Sequence, residues 1–422
     1  MSRKRKAPPR FAALRAKPPL FWVKLVSIAA ITCTLAWLSF IHAVANITWQ
    51  QNPDLALRFV PDHPLALSRK ADELFAAKQD PATLAKVEAM AKQSLRGGAL
   101  NPVAIRLLGY VADARGDRKK AREFMLLSQK VSRRDFGTQL WLIEDAVARN
   151  DKKQALYHYD IAMRTTPSSF PLLFPTLTGA LDDPEVREGL APYVKAAPEW
   201  LLPFLPHAIG TMENPSYLVD VLLKAGPLPD RPEYRDQSNY LLLTLANKGQ
   251  FSALERYYAS LPSVRSKALQ TAAMNKDTVN LRYPAAGWQL TENSAIGGAF
   301  SEADKRGAFT LSAFAGSGER GELMRKLLFL KPGSYRFTAQ YDAQSSAPDS
   351  EIRWDLSCVS AKGNSGKWFT SRTVKAGRSG DVQSFTLGAD CPHQLLQLQL
   401  AGGSGQLGAE FVLRSVQITP VR

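Results

Sequence analysis

A long apolar segment lies near the beginning of the chain. From Leu25 to Trp49 the sequence LVSIAAITCTLAWLSFIHAVANITW contains no Lys, Arg, Asp or Glu. A helix of this length crosses the hydrocarbon core of a bilayer, which is about 30 Å thick, at about 1.5 Å per residue. The pattern therefore predicts a transmembrane helix over residues 25–49.

The hydrophobic pattern between residues 50 and 272 is helical. Apolar residues recur at spacings of three and four, and Gly and Pro fall between the segments. The stretch from Pro198 to Pro232 holds seven prolines, which predicts short, interrupted helices there. We therefore expect an α-solenoid built from helical hairpins.

Two consecutive parts of this segment match each other at an offset of 34 residues, the spacing expected of a helical repeat. The matching pairs are Leu108 with Leu142, Ala112 with Ala146, Ala121 with Ala155, Met125 with Tyr159, and Ser128 with Ala162. A further unit fits at Leu241–Leu261, and an earlier one around Ala71–Leu95 keeps the 34-residue phase only loosely. The period predicts at least two equivalent hairpins.

The pattern changes near residue 275, where short alternating runs are separated by Gly, Ser, Asn and Asp. In the run Ser334–Asp342, apolar residues at odd positions alternate with Arg336, Thr338, Gln340 and Asp342. Similar runs occur at Ile352–Cys358 and Leu396–Leu400, and the chain closes on Phe411–Thr419. The pattern over residues 275–422 therefore predicts an antiparallel β-sandwich.

Charge changes the interpretation of the N-terminus. Residues 1–24 hold eight basic side chains, and the first acidic residue is Asp54. By the positive-inside rule, this basic tail is cytoplasmic and the rest of the chain is exported. A cleaved signal peptide is the alternative, because Ala43-Val44-Ala45 provides a small-x-small cleavage site. Outside the tail the basic surplus is modest and forms no aromatic-studded stripe, which argues against nucleic-acid binding.

The 34-residue units resemble the tetratricopeptide repeat. The first unit supplies Leu108-Gly109, Gly116 and Ala121, and the second supplies Ala155, Tyr159, Ala162 and Pro167. The units depart from that pattern at Ser128, Arg133 and Ile143. The resemblance implies a solenoid that binds a protein partner, with these small and aromatic residues in its core.

The C-terminal segment resembles galactose-binding-like jelly rolls, the architecture of many carbohydrate-binding modules. The resemblance rests on three short segments: Leu330–Tyr335, Arg353–Cys358 and Cys391–Gln394. The segment also resembles a module that follows tetratricopeptide-like repeats in exported bacterial proteins of polysaccharide clusters, in which both Cys segments recur. It implies a location at the bacterial inner membrane, with most of the chain in the periplasm.

The exported part contains one pair of cysteines, Cys358 and Cys391. The first ends one predicted strand and the second precedes another, which favours a disulfide in an oxidising compartment. Two buried free thiols are the alternative. Cys33 lies in the predicted membrane span.

Polar residues of the predicted strands form the candidate site for sugar. If the strands are neighbours in one sheet, six side chains line one surface: Arg336, Asp342, Arg353, Asp355, Gln397 and Gln399. An exposed aromatic, Trp288 or Trp368, would stack on a sugar ring. The alternative is an ordinary solvated face of a half-buried sheet.

Catalytic motifs are absent from the sequence. The five histidines are isolated, and none has metal-ligand spacing. The sequence predicts neither a cofactor nor a metal. A glycan-modifying enzyme would need paired carboxylates about 5–10 Å apart, and Asp342 with Asp355 is the pair to inspect.

These features predict a non-catalytic, membrane-anchored periplasmic adaptor in the synthesis, assembly or export of a cell-surface polysaccharide. The helical repeats would bind an envelope protein, and the sandwich would bind glycan. The polysaccharide element comes from the family resemblance. The alternative is a pure protein-interaction scaffold for an envelope secretion or division complex.

Overall fold

The structure is a computed structural model. It describes residues 18–421 apart from 266, 280, 292, 304–306, 344–345, 361–362, 376–378 and 405–407. The predicted basic tail therefore lies outside the described residues, except for its last seven positions. The chain forms two compact units, Met1–Thr166 and Pro167–Arg422.

The described residues of the first unit form eight α-helices. They are α1 (Pro19–Thr48), α2 (Pro53–Phe59), α3 (Pro64–Ala77), α4 (Pro81–Gly97), α5 (Pro102–Ala114), α6 (Arg118–Val131), α7 (Phe136–Ala148) and α8 (Lys152–Thr165). Helix α1 is long and apolar enough to cross a membrane by length and composition. It begins six positions before the predicted span because Pro19 occupies the first helical turn, where proline fits.

The C-terminal end of α1 packs against the following hairpin. Ala45 is fully buried in a cluster with Ala56, Val60 and Ala66. The Asn46 side chain lies 3.1 Å from Nε2 of His63 in a hydrogen bond. The end of helix α1 is therefore part of the folded first unit.

The 34-residue period predicted from the sequence appears in the helix bounds. Helices α7 and α8 begin and end 34 positions after α5 and α6. Gly116 (φ 84°) and Asn150 (φ 56°) occupy equivalent left-handed positions after α5 and α7, where a residue with a positive φ ends a helix. The period is thus structural, while membership of the tetratricopeptide family stays a prediction.

The second unit begins with six helices: α9 (Phe170–Ala180), α10 (Pro184–Lys195), α11 (Leu201–Thr211), α12 (Ser216–Ala225), α13 (Pro232–Asn247) and α14 (Phe251–Ser260). Helices α11 and α12, in the proline-rich stretch, are short as predicted. The predicted solenoid at 50–272 is divided at Thr166, because its later helices belong to the same compact unit as the sandwich. Three 3₁₀ turns lie at Pro167–Ser169, Ala268–Gln270 and Pro284–Ala286.

The remaining residues form an antiparallel β-sandwich, as predicted. Its described strands are β1 (Gln289–Leu290), β2 (Ile296–Glu302), β3 (Phe309–Ala315), β4 (Arg320–Leu328), β5 (Gly333–Ala343), β6 (Glu351–Ser360), β7 (Gly363–Thr370), β8 (Val374–Lys375), β9 (Gly380–Leu387), β10 (Gln394–Ala401) and β11 (Ala409–Pro420). Sheet 1 has the order β1-β4-β10-β6-β7, with β8 also paired to β6. Sheet 2 has the order β2-β3-β11-β5-β9.

The apolar side of each predicted run faces the space between the sheets. Phe337 of β5, Trp354 of β6 and Leu398 of β10 are each at most 1% exposed. The Trp354 indole donates a 2.8 Å hydrogen bond to the Tyr341 hydroxyl, which satisfies both polar atoms inside the core. The alternation read from the sequence therefore identified the core face of these strands.

A disulfide joins Cys358 on β6 to Cys391, just before β10, with Cα atoms 5.3 Å apart. This confirms the predicted pairing. Beside it, the His393 ring packs between Phe329 of the sandwich and Phe251 of α14, with centroid distances of 4.7 and 5.1 Å. These contacts attach the last helical hairpin to the sandwich within the second unit.

Candidate functional site

The six polar residues predicted to share one surface lie on two different sheets. Strands β6 and β10 are neighbours in sheet 1, so Arg353 pairs with Gln399 and Asp355 pairs with Gln397. Strand β5 belongs to sheet 2, and it carries Arg336 and Asp342. The prediction of a single six-residue surface is therefore wrong, because the strand β5 does not pair with β6.

Three of the four residues on sheet 1, Arg353, Asp355 and Gln397, make side-chain hydrogen bonds or ion pairs that we term the sheet 1 network. Asp355 is buried, and its carboxylate accepts hydrogen bonds from Lys367 (2.9 Å) and Thr370 (3.0 Å) on β7. Arg353 adds a longer contact to the same carboxylate at 3.4 Å. These partners occupy the acceptor positions that a sugar hydroxyl would need.

The other half of the sheet 1 network is also paired. The Gln397 side chain donates to the carboxylate of Glu322 on β4. The Arg325 guanidinium lies 2.8 Å from the other oxygen of Glu322. Gln399 lies opposite Glu322 in the register, with Arg353 on its other side. The outer face of sheet 1 thus uses polar groups to join β6 to β7 and β10 to β4.

The two tryptophans proposed for stacking are not equivalent. Trp288 is 7% exposed, and its ring packs edge-on against Trp354 with centroids 5.8 Å apart. The expectation of an exposed Trp288 is wrong, because the chain here enters the core immediately before β1. Trp368 is 37% exposed, and its indole N–H donates to the Thr386 carbonyl at 2.7 Å. It connects β7 of sheet 1 to β9 of sheet 2 at the edge of the sandwich.

The outer face of sheet 2 has a different composition. One row across the sheet places Asp342 next to Val412, Ser312 and Ala299 on successive strands. The next row places Glu410 beside Phe314 and Gly297. Small side chains on β2 and β3 leave a depression of about 400 Å³, which we term the sheet 2 groove, lined by Gly298, Ala299, Ser312, Ala313, Phe314, Glu410, Phe411 and Val412.

Phe314 forms one wall of the sheet 2 groove and is 45% exposed. Its ring lies against Gly297, where an added Cβ would approach ring carbon Cε1 to 2.9 Å. Glycine is therefore required for the ring to lie over this strand. The arrangement presents a large aromatic surface to solvent beside residues that are too small to cover it.

Charged groups flank the sheet 2 groove on the β11 and β5 side. The Arg414 guanidinium donates to Asp342, with Nε 2.7 Å from Oδ2. Glu410 is exposed, and its carboxylate has no ion pair among the described residues. An aromatic ring with a free carboxylate and an arginine–carboxylate pair is chemistry that suits sugar rings and their hydroxyl groups. Arg336 lies further along the same face, paired with Ser384 and Thr419.

Sequence reasoning missed Phe314, although a signal was present. In β3, Leu311, Ala313 and Ala315 are the buried residues, and Thr310 and Ser312 share the opposite phase. Phe314 follows the polar phase, so the alternation already indicated an aromatic ring on the outer face. Its neighbour across the sheet, Gly297, could be identified only from the strand register.

No metal site is found in the described part of the chain, and Asp342 and Asp355 do not form a paired-carboxylate cleft. No group of three or more His, Cys, Asp or Glu is placed to hold a metal there. Asp342 and Asp355 lie on different sheets, each with its own cationic partner. Lys326 is buried, its side-chain nitrogen donates to the Ala286 carbonyl at 2.7 Å, and burial lowers the pKa of this lysine to about 7.

Comparisons with known proteins do not assign the chain to a family. No protein-family profile matches the chain, and no curated protein matches it. Among solved structures, the module TmCBM61 in complex with β-1,4-galactotriose is 10% identical, with a TM-score of 0.23, covering 32% of this chain and 88% of that one. The CBM22-1 xylan-binding domain of Paenibacillus barcinonensis Xyn10C is 11% identical, with a TM-score of 0.26, covering 36% and 94%. TM-scores and identities this low do not establish a relationship between this chain and either module.

Proposed function

We propose that this protein is a non-catalytic adaptor anchored in the bacterial inner membrane, with its bulk in the periplasm. In this proposal the sandwich binds a glycan chain through the sheet 2 groove, and the helical repeats bind an envelope protein. The protein acts in the synthesis, assembly or export of a cell-surface polysaccharide. The polysaccharide element rests on the sequence resemblance to modules of polysaccharide clusters.

One observation carries the glycan part of the proposal. The exposed Phe314 ring stands beside a depression floored by Ala299 and Ser312, with the Glu410 carboxylate, which has no ion pair among the described residues, at its side. A sugar ring can stack on the phenyl face while its hydroxyl groups donate to the carboxylate. The groove is shallow and open, which suits the side of a chain better than a small enclosed ligand.

Two observations support the location. Helix α1 has the length and apolarity of a membrane span, and basic residues crowd its N-terminal side. The Cys358–Cys391 disulfide fits an oxidising compartment on the other side of the membrane. Ala45 is buried against α2 and α3, which favours an uncleaved anchor over removal of residues 1–45.

The alternative is a pure protein-interaction scaffold in an envelope secretion or division complex. It is favoured by exposed apolar side chains on the first unit, where Leu126, Leu127 and Val147 are 42%, 48% and 62% exposed. In that case the sandwich would be a structural cap. The absence of binding to glycan, together with recovery of a protein partner, would support this second function.

The test is binding of the full-length protein, in detergent, to oligosaccharides from the host's own surface polysaccharide. We expect Phe314→Ala to weaken binding by roughly 3- to 10-fold, the effect of losing one aromatic contact. Val382→Ala is the matched control, since this apolar residue is 63% exposed on β9 of the same sheet but outside the groove. Loss of binding with Arg353→Ala rather than Phe314→Ala would contradict the proposal.

A further inference from the structure

One histidine, His63, contacts both the end of helix α1 and the start of helix α3. It is 6% exposed and stands at the N-cap of α3. Its Nδ1 atom accepts a hydrogen bond from the backbone nitrogen of Ala66 at 3.2 Å, which caps the helix. Its Nε2 atom lies 3.1 Å from Oδ1 of Asn46 on α1. A single imidazole ring therefore connects the apolar N-terminal helix to the first hairpin.

The groups around the ring determine which of its nitrogens carries hydrogen. The Asn46 amide nitrogen donates to the His42 carbonyl at 2.9 Å, so the amide oxygen faces Nε2 of His63 as an acceptor. The Ala66 backbone N–H can only donate, so Nδ1 must be free of hydrogen to accept from it. The arrangement therefore requires a neutral ring with its hydrogen on Nε2.

A second proton on the His63 ring removes the acceptor at Nδ1. An imidazolium ion carries hydrogen on both nitrogens, so a donor would face the Ala66 N–H whichever way the ring is turned. Because the two nitrogens belong to one rigid ring, moving Nδ1 away from Ala66 also moves Nε2 away from Asn46. Protonation therefore weakens the helix cap and the contact with α1 together.

The surroundings of His63 oppose protonation at neutral pH. Burial lowers the pKa of His63 below its ordinary value of 6.5, and the nearby His42 on α1 lowers it further. The Asp62 carboxylate, in the turn before α3, acts on this pKa in the opposite direction. The other charged side chains on the adjoining turns of α2, α3 and α4 are exposed or half-buried: Asp54, Arg58, Arg69, Lys70 and Arg96.

The apolar contact that accompanies these hydrogen bonds is small. Its buried members are three alanines and one valine, with three half-buried side chains around them: Ala45, Ala56, Val60 and Ala66, then Trp49, Leu57 and Phe59. An alanine side chain buries a single methyl group and contributes correspondingly little to packing. The two hydrogen bonds of His63 therefore matter to how firmly the end of α1 is held.

We propose that Asn46, His63 and Ala66 form a pH-sensitive latch between helix α1 and the rest of the first unit. The latch holds the end of α1 against α2 and α3 while the His63 ring is neutral, and it releases that end when the ring binds a proton. Its contribution to stability is complete above the pKa of an unfolded histidine and is lost as the pH falls through the lower pKa of folded His63. An acidified compartment would thus free the exported part to change its orientation relative to its anchor. The latch does not depend on glycan binding by the sandwich.

Nitrogen-15 NMR of the full-length protein in detergent, labelled at histidine, tests the protonation state. At about pH 7.5 we expect the His63 ring to be neutral with its hydrogen on Nε2, and its signals are assigned by their loss in His63→Asn. On titration, this ring should take up its second proton below the ordinary histidine pKa of about 6.5. A ring with its hydrogen on Nδ1 at about pH 7.5 would overturn the proposal.

Release of α1 is measured as the distance between two spin labels in the same full-length protein. Ile47 on α1 and Leu100 after α4 are 78% and 80% exposed, so cysteine can replace each without disturbing the core. The free Cys33 is replaced with Ser. We expect one narrow distance distribution at about pH 7.5 and a second, broader population at about pH 5. The ratio of released to held protein should rise about tenfold, the size expected from losing one helix cap.

His63→Asn is the decisive variant, because asparagine also caps helices but does not titrate. Its distance distribution should be the same at both pH values. His158→Gln is the matched control: His158 is also buried in the first unit, and burial lowers its pKa to about 4, so it stays largely neutral at about pH 5. This control should keep the pH response, and circular dichroism verifies that each variant is folded. An identical distribution at both pH values in the labelled parent protein would overturn the proposal, as would an unchanged pH response in His63→Asn.

Discussion

The two outer faces of the sandwich use their residues differently. Sheet 1 carries Arg353, Asp355 and Lys367 in one network of ion pairs, in which the buried Asp355 carboxylate is already occupied by its partners. Sheet 2 carries small residues around the exposed Phe314, beside a carboxylate without an ion partner among the described residues. The comparison teaches that a dense row of polar side chains across strands can be a structural device, while a ligand surface needs space and unused hydrogen-bonding groups.

Sheet 1 also contains two buried features that affect the stability of the second unit. The disulfide joins the end of β6 to the segment before β10, and Lys326 lies on the inner face of β4. We therefore expect substitutions in sheet 1 to change stability and substitutions in the sheet 2 groove to change binding. The predictions below test this division.

The largest effect is expected from removing the disulfide. The bridge closes a loop of 33 residues. Replacing Cys358 and Cys391 with Ser should lower the free energy of unfolding of the second unit by about 3–4 kcal/mol, through loss of the constraint on the unfolded chain. Urea unfolding followed by tryptophan fluorescence measures this loss. The matched control is Cys33→Ser, because this cysteine is free and exposed on α1; an equal loss there would contradict the prediction.

A smaller loss is expected from Asp355→Ala. This carboxylate side chain is 3% exposed, and its removal leaves Lys367 and Thr370 without their acceptor. The free energy of unfolding should fall by about 2–3 kcal/mol, while glycan binding is retained. The comparison is Asp342→Ala on sheet 2, whose side chain is 40% exposed and whose ion pair with Arg414 should contribute less than about 1 kcal/mol. Equal losses in the two variants would contradict the contrast between the faces.

Because Lys326 is buried, we expect the free energy of unfolding of the second unit to depend on pH in the alkaline range. The pKa of Lys326 in the folded protein, about 7, lies below that of an unfolded lysine, so folding favours the neutral amine. Because the unfolded lysine binds a proton that the buried one does not, the free energy of unfolding is highest above the unfolded pKa and falls as the pH falls towards 7. Between about pH 9 and pH 7 the second unit should lose about 2 kcal/mol. Lys326→Met should flatten this dependence in thermal unfolding; an unchanged slope would show that another group is responsible.

The smallest change in stability is expected from filling the sheet 2 groove. Ala299→Leu places a larger side chain on an exposed position of β2, so the free energy of unfolding should change by no more than about 0.5 kcal/mol. Binding of oligosaccharide should nevertheless be lost, because the leucine occupies the space beside Phe314. Titration of this variant with host oligosaccharides is the measurement, and Gln399→Ala on sheet 1 is the control. Retained binding in Ala299→Leu would locate the sugar elsewhere.

Much of the fold could be predicted from the sequence, because local periodicity reflects which face of an element is buried. The alternation in β5, β6 and β10 identified their core residues, and the 34-residue offset identified equivalent helices. The strand neighbours could not be read in this way, since antiparallel pairing depends on long-range connections. For this reason the sequence alone places Arg336 and Asp342 with residues that belong to the other sheet. Trp288 was misjudged because it precedes a strand of only two residues and shows no alternation of its own.

The central claim is that the outer face of sheet 2, rather than that of sheet 1, binds glycan. Amide hydrogen exchange of the full-length protein, with and without a saturating host oligosaccharide, tests it most directly. We predict slower exchange in β2, β3 and β11, around Gly298, Ser312 and Val412, and unchanged exchange in β6 and β10. Protection confined to β6, β7 and β10 would contradict the claim, as would no protection anywhere in the sandwich.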